Sequence, residues 1–294
     1  MEIKLRTGTD NQSQNISSDS AFFSEISKLE AFAELHNLIG LNSVKKLLFE
    51  VYAFSVIQRK RQIEGLITEA VVLHAIFKGS PGTGKTTVAR LIGKVYKHLG
   101  ILQRGHVIEI ERADIVGEYI GHTAQKTREQ LKKATGGVLF IDEAYSLVRG
   151  GEKDFGREAI DTLVKGMEDF KDTLVLILAG YKDEMDYFMQ TNPGLSSRFP
   201  LQIEFPDYTT QELLGIAVFM LNKRGYELHE HGKLVLQHLL ARNVLSGKSK
   251  EGNARMVRNI IEKSIRKQAI RLYSKANISR QELVLLLPED IVNC

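Results

Sequence analysis

The stretch Phe77–Lys94, FKGSPGTGKTTVARLIGK, constrains the fold more than any other part of the chain. It holds Gly79-Ser-Pro-Gly-Thr-Gly84-Lys85-Thr86, a G-x4-G-K-T pattern, between a short apolar run (VVLHAIF, 71–77) and a segment with helical apolar spacing. Glycines let a backbone wrap around phosphate oxygens and aim its N–H groups at them, and the N-terminus of the helix that follows adds partial positive charge. A strand that feeds a helix through such a loop is the start of a parallel α/β arrangement.

The rest of the chain fits that start. HVIEI (106–110), VLFI (138–141), LVLILA (174–179) and LQIEF (201–205) read as further short strands with helical patterns between most of them. Nearly continuous apolar strands alternating with helices predict a mainly parallel sheet covered on both faces. A helix is expected from about Leu41, with Val44, Leu47, Leu48, Val51 and Ile57 at helical spacing. After PDYTT (206–210) no strand is predicted. Residues 211–224, 231–243 and 253–275 are apolar-periodic, and the last is expected to bury Val257, Ile260, Ile261, Ile265, Ala269 and Leu272 along one stripe. The expected organisation is a mobile N-terminal tail over 1–34, an α/β nucleotide-binding domain over 35–206 and a small all-helical domain over 207–294.

Composition narrows the class. Hydrophobic residues make up 43% of the 294 and charged residues 26%, the balance of a globular protein rather than a disordered or fibrous one. The net charge of +4 is mild for this length, so nucleic acid is disfavoured as a partner. The single cysteine, Cys294, permits no intrachain disulfide and suits a reducing compartment. The opening MEIKLRTGTD lacks the apolar core of a signal peptide. The apolar runs are far shorter than the roughly 20 residues that span a bilayer, so a cytoplasmic protein with no membrane partner is expected.

Around the glycine loop, Ser80, Pro81, Gly82, Thr83 and Gly84 form the expected phosphate cradle. Lys85 would reach the β- and γ-phosphates, and Thr86, followed by Thr87, would bring a hydroxyl to magnesium. VLFIDEA then sets Asp142 and Glu143 at the end of a buried strand: Asp142 to hold magnesium, Glu143 to polarise an attacking water as general base. Glu directly after Asp points to hydrolysis more than to mere nucleotide holding. A GTPase is disfavoured because Asn222-Lys223-Arg224-Gly225 lacks the Asp of a guanine reader. His229-Glu-His231 does not have the H-E-x-x-H spacing of a zinc site.

In these residues the chain resembles the AAA+ ATPases, and most closely the stage V sporulation protein K group, whose relatives include the red-type Rubisco activases. The resemblance covers about residues 35–290. It implies a P-loop α/β domain with a helical lid, ATP and Mg2+ as cofactors, and a homo-oligomeric ring, commonly hexameric, with ATP at each subunit boundary. HNLIGLNSVKK (36–46) is similar to the family's segment before the first strand, which would set Ile39 and Gly40 against adenine. GLSSRFP (194–200) is similar to the segment bearing an arginine finger, so Arg198 would act on the nucleotide of a neighbouring subunit. GNAR (252–255) resembles the second sensor, which assigns Arg255 to the phosphates of its own subunit, with Arg258 as a weaker substitute. One departure stands out. Where many members carry a polar Asn or Thr after the fourth strand, this chain reads Ala179-Gly180-Tyr181, which leaves Tyr181 as the candidate first sensor.

The stretch Glu118-Tyr119-Ile120-Gly121 falls in a loop before a helix expected to be capped near Thr123, with Gly121 as hinge. It resembles the central pore loop of members that thread polypeptides. An aromatic face and an aliphatic neighbour grip unrelated side chains by non-directional contact, as such a motor requires. A second loop, Arg149–Phe155, could line the same channel or be plain surface. The favoured function is an ATP-driven remodeller of a protein client. A nucleic-acid motor would call for basic loops at the pore, and a nucleotide-switched scaffold would tolerate loss of Glu143 or Arg198; both readings rank behind it.

Overall fold

The computed structural model describes residues 33–35, 37–68, 72–119, 121–149, 154–247 and 252–291. All but the last two residues of the expected N-terminal tail lie outside that set, as does Ile120. The chain divides into two units, Met1–Leu38 and Ile39–Cys294. Of the first, a helical turn at 33–35 is described, followed by hydrogen bonds from Asn37 N to Ala33 O and from Leu38 N to Leu35 O. The second unit holds everything below.

It opens with α1 (Asn42–Ile63), which buries Val44, Leu48 and Val51 and leaves Ile57 exposed. Then β1 (Ala75–Gly79) runs through the glycine loop into α2 (Lys85–His98). Strands β2 (Val107–Ile110), β3 (Val138–Ile141), β4 (Val175–Gly180) and β5 (Leu201–Phe205) complete a five-stranded sheet in the order β2-β3-β4-β1-β5, with every pairing parallel. Between them lie α3 (Arg112–Ile115), α4 (His122–Ala134), a 3-10 turn (Ala144–Val148), α5 (Gly156–Asp169), α6 (Lys182–Thr191) and α7 (Pro193–Ser196). Strands β1, β3 and β4 are buried along their whole length, as the apolar runs predict. Phe77 at the sheet centre meets the edge of Phe140 at 6.4 Å and lies 4.9 Å from Phe205. Each such buried ring contributes roughly 1.5–3 kcal/mol by leaving water.

The helical region comprises α8 (Thr210–Asn222), α9 (Glu230–Leu245), α10 (Asn253–Tyr273), α11 (Arg280–Val284) and α12 (Pro288–Ile291). Its core is separate, centred on Leu213, Ala217, Leu240, Val257 and Ile291. Helix α8 begins with a reciprocal cap in which Glu212 N donates to Thr209 Oγ1 and Thr209 N donates to Glu212 Oε2.

Three expectations need correction. The helical region is not strand-free: β6 (Glu227–Leu228) and β7 (Leu285–Leu286) form a short parallel ladder, too brief to leave a period in the sequence. The stripe on α10 is not wholly apolar. Ala269 is exposed, and Ser264 and Gln268 are buried in its line. The Gln268 amide nitrogen lies 3.0–3.2 Å from the carbonyls of Glu282, Leu283 and Leu285, so a polar side chain there ties down the turn into β7. Helix α4 is capped by Gly121, at φ 85°, rather than near Thr123. Thr123 is the second residue of the helix, fully buried, and its hydroxyl accepts from Gly117 N at 2.9 Å. No described helix is long and apolar enough to cross a membrane.

Candidate functional site

The strand order determines which loops converge. In β3-β4-β1-β5 the loop after β1 carries the glycines, the end of β3 carries Asp142 and Glu143, and the end of β4, between them, carries Tyr181. All three lie at the carboxyl edge of the sheet, where open α/β sheets place ligands. The register Gly79↔Phe205 brings the end of β5, and the connector Asp207–Tyr208 after it, against the same loop.

Gly84, at φ 99°, caps α2, and Lys85 is the first residue of that helix. The Lys85 ammonium donates to Gly79 O at 2.7 Å and Ser80 O at 2.9 Å, and Thr83 Oγ1 donates to Ser80 O at 2.8 Å. Burial pushes the Lys85 pKa below its ordinary value. The charge of Asp142 raises it again, that of Arg255 lowers it, and that of Glu143 raises it. Asp142 and Glu143 after β3 and Arg255 on α10 thus all lie within electrostatic reach of Lys85, which brings three separate segments to one point.

Glu143 lies at φ 48°, ψ 42°, the left-handed region that side chains other than Asn, Asp and Gly avoid, while its N–H donates to Asp142 Oδ1 at 3.0 Å. Strain of this kind costs about 1–3 kcal/mol and persists where the surroundings enforce it. Here the buried β3 on one side and the 3-10 turn on the other supply that enforcement. Tyr145, in the turn, has its hydroxyl pushed up to about 12 by burial and by the nearby Glu143 charge, and its ring lies 6.1 Å from Tyr181. Tyr181 is partly exposed and precedes α6.

Ile39 and Gly40 sit beside the connector. Ile39 packs on Gly215 of α8, and a Cβ on Gly40 would lie 2.5 Å from Glu212 Oε1 and 3.4 Å from the Tyr208 ring. Arg255, on the first turn of α10, is exposed. Arg198 is held within its own chain by a salt bridge to Glu168 at the end of α5 and by donation to Gly194 O at 2.8 Å. Tyr119 is 65% exposed, with its ring edge-on to His122 at 5.5 Å, and Gly121 begins the helix behind it. The middle of the second loop, residues 150–153, lies outside the described residues. Its flanks turn inward: Arg149 stacks over Tyr145 at 4.6 Å, and Asp154 pairs with Arg112 at 2.5 Å.

Four neighbours of the site escaped the sequence reading: Tyr208, Asn253, Arg112 and Glu168. Tyr208 and Asn253 lie within stretches that drew attention for other residues, PDYTT and GNAR. Arg112 and Glu168 carry no local signal. For magnesium, Thr86 and Asp142 offer a hydroxyl and a carboxylate, the hard oxygen donors Mg2+ takes alongside phosphate and water. Among the described residues no group of three or more His, Cys, Asp or Glu could hold a metal without such help.

Comparison with known proteins agrees with this geometry. Residues 75–207 match the model of the "ATPase family associated with various cellular activities (AAA)", and residues 209–294 match that of the "AAA lid domain". The chain is 52% identical over 259 residues to stage V sporulation protein K of Bacillus subtilis, covering 88% of this chain and 80% of that one. It is 46% identical to the chloroplastic ribulose bisphosphate carboxylase/oxygenase activase of Cyanidioschyzon merolae, covering 87% of each. To protein CbbX of Cereibacter sphaeroides it is 43% identical, over 89% of this chain and 85% of that one. A phosphate loop on a parallel sheet, an Asp-Glu pair two strands away and a helical lid bonded to the phosphate loop are the parts of a nucleotide-hydrolysing machine, and with these relatives they show that the chain belongs to the AAA+ ATPases, in the group of stage V sporulation protein K.

Proposed function

We propose that this ATPase remodels a protein client by drawing polypeptide through the centre of a hexameric ring of identical subunits, in a reducing cytoplasm. Ser80 to Thr87 cradle the phosphates, with Lys85 on the β- and γ-groups, and Ile39 and Gly40 border the adenine. Mg2+ held by Thr86 and Asp142 would neutralise charge on the phosphates. Glu143 takes a proton from the attacking water as its oxygen bonds to the γ-phosphorus and the bond to ADP breaks. Arg255 neutralises charge from the lid of the same subunit and Tyr181 serves as first sensor, while Arg198 acts from the neighbour. Residues 35–206 form the α/β domain and 207–294 the lid.

The observation that carries the threading reading is Tyr119. A large ring left 65% in water at the start of a helix gains nothing for the fold of one subunit, and it suits a surface that binds many side chains. The neighbouring Glu118 is also exposed, and an acid beside the ring disfavours a phosphodiester backbone. One relative is named as an activase of ribulose bisphosphate carboxylase/oxygenase, which makes a folded enzyme a reasonable class of client.

The test replaces Tyr119 with a photo-cross-linking amino acid in a Glu143→Gln background, which should hold ATP without turnover. Cross-links to polypeptide in the presence of ATP, absent with ADP, are expected. Cross-links to nucleic acid, or none to any polypeptide, would refute threading.

A further inference from the structure

A loop that aims its N–H groups at phosphate turns its carbonyls outward, and buried carbonyls need donors. In this loop the first two are satisfied from within, Gly79 O and Ser80 O by Lys85. The next three are satisfied from the connector and the lid. Asn253 Nδ2 donates to Pro81 O at 3.3 Å, Ala254 N to Gly82 O at 3.1 Å, and Tyr208 Oη to Thr83 O at 3.0 Å. Three successive carbonyls on the back of the phosphate cradle are therefore bonded to residues outside the α/β domain. The approach is close: a Cβ on Gly82 would lie 2.1 Å from Gly252 O.

Asn253 is the centre of this arrangement. It is fully buried and begins α10 at φ 41°, a left-handed conformation Asn tolerates better than most residues. Its Nδ2 also donates to Asp207 Oδ1 at 2.9 Å, and its Oδ1 accepts from Tyr208 N at 3.0 Å. One amide thus bonds the phosphate loop, the connector and the lid together. Arg255, whose charge reaches Lys85, follows two residues later on the same helix turn.

We infer that Asn253 is a positioning residue that latches α10 to the carbonyl side of the phosphate loop, so that a shift of the loop around its nucleotide is delivered directly to the lid and to Arg255. A side chain that merely filled space there would lower stability without changing how the lid answers the nucleotide. The latch leaves the lid free to respond only as far as the loop itself moves, because Gly82 and Gly252 leave no slack between them.

The test uses the full chain with Cys294→Ser and a fluorophore pair on cysteines introduced at Lys171 and Lys233, both exposed, one in each domain. Energy transfer is read with ADP and with a slowly hydrolysed ATP analogue. In the native background the two nucleotides should give different efficiencies. Asn253→Gly keeps the left-handed conformation accessible while removing every side-chain bond, and there the difference should vanish. Its kcat should fall about tenfold or more while KM for ATP moves less than about threefold, the pattern of a lost transition-state contact.

If that variant does not fold, Asn253→Asp combined with Asp207→Asn reverses donor and acceptor across their contact. It breaks chiefly the bond to Pro81 O, and the same loss of response is expected. A nucleotide-dependent change that survives in the folded variant, or none in the native background, overturns the latch. The readout needs no client, so it stands or falls apart from threading.

Discussion

Glu143 combines a strained backbone with a side chain whose charge reaches Lys85. Glu143→Gln keeps the shape and removes the base. Hydrolysis should fall roughly 10²- to 10⁴-fold, the usual contribution of general base catalysis, while a fluorescent ATP analogue still binds. Undiminished turnover would remove the base from Glu143. A second residue-scale effect lies below the sheet. His74 is buried 6.0 Å from Phe199, and its Nδ1 accepts from Leu176 N at 3.0 Å, so the ring is neutral with its proton on Nε2. Burial lowers its pKa from 6.5 to about 4. The unfolded chain therefore takes up this proton first as pH falls. Stability is whole above about pH 6.5 and declines towards pH 4, by roughly 3 kcal/mol for this group. Denaturant titrations should show a shallower decline in that window for His74→Gln than for the native chain; equal slopes would exclude His74 as the cause.

At the scale of elements, the segment after β2, the 3-10 turn after Glu143 and the base of the second loop meet at one guanidinium. Arg112 donates to Ser146 O at 2.6 Å and to Asp154 Oδ1 at 2.5 Å, and Asp154 also accepts from Gly156 N at 3.0 Å. The planar fork of Arg spans both acceptors, which a single ammonium cannot do. Arg112→Lys should keep a charge opposite Asp154 yet loosen the loops. Amide exchange at 116–119 and 154–156 should quicken by about tenfold while that of α2 is unchanged. Uniform exchange across the domain would show that Arg112 is only a general stabiliser. The same elements show what can be read from sequence. β3 and β5 lie where VLFI and LQIEF place them, and α8, α9 and α10 match their periodic segments within a few residues, because those signals are contiguous. The exposed Ala269 and buried Gln268 were not legible: apolarity marks a stripe but does not say where a turn from another element needs a donor.

For the whole molecule, Arg198 is paired with Glu168 within its own chain, and the action on a neighbour's nucleotide proposed for it can be tested directly. An arginine supplied across a boundary can be worth roughly 10³ to 10⁵ in rate. Arg198→Ala and Lys85→Ala subunits, each inactive alone, should regain part of the hydrolysis when mixed, since some boundaries then join an intact Lys85 to an intact Arg198. No recovery in mixed assemblies would count against action in trans. The sequence alone determined the class of chemistry, for the glycine loop, the Asp-Glu pair and the alternation of strand and helix are each written in a few adjacent residues. Only the tertiary structure decided how these parts are joined: Asn253 on Pro81, Tyr208 on Thr83, Arg112 on Asp154, Glu168 on Arg198. Those bonds link residues far apart in the chain, and a donor's partner is set by the packing of sheet and lid, which no local pattern encodes.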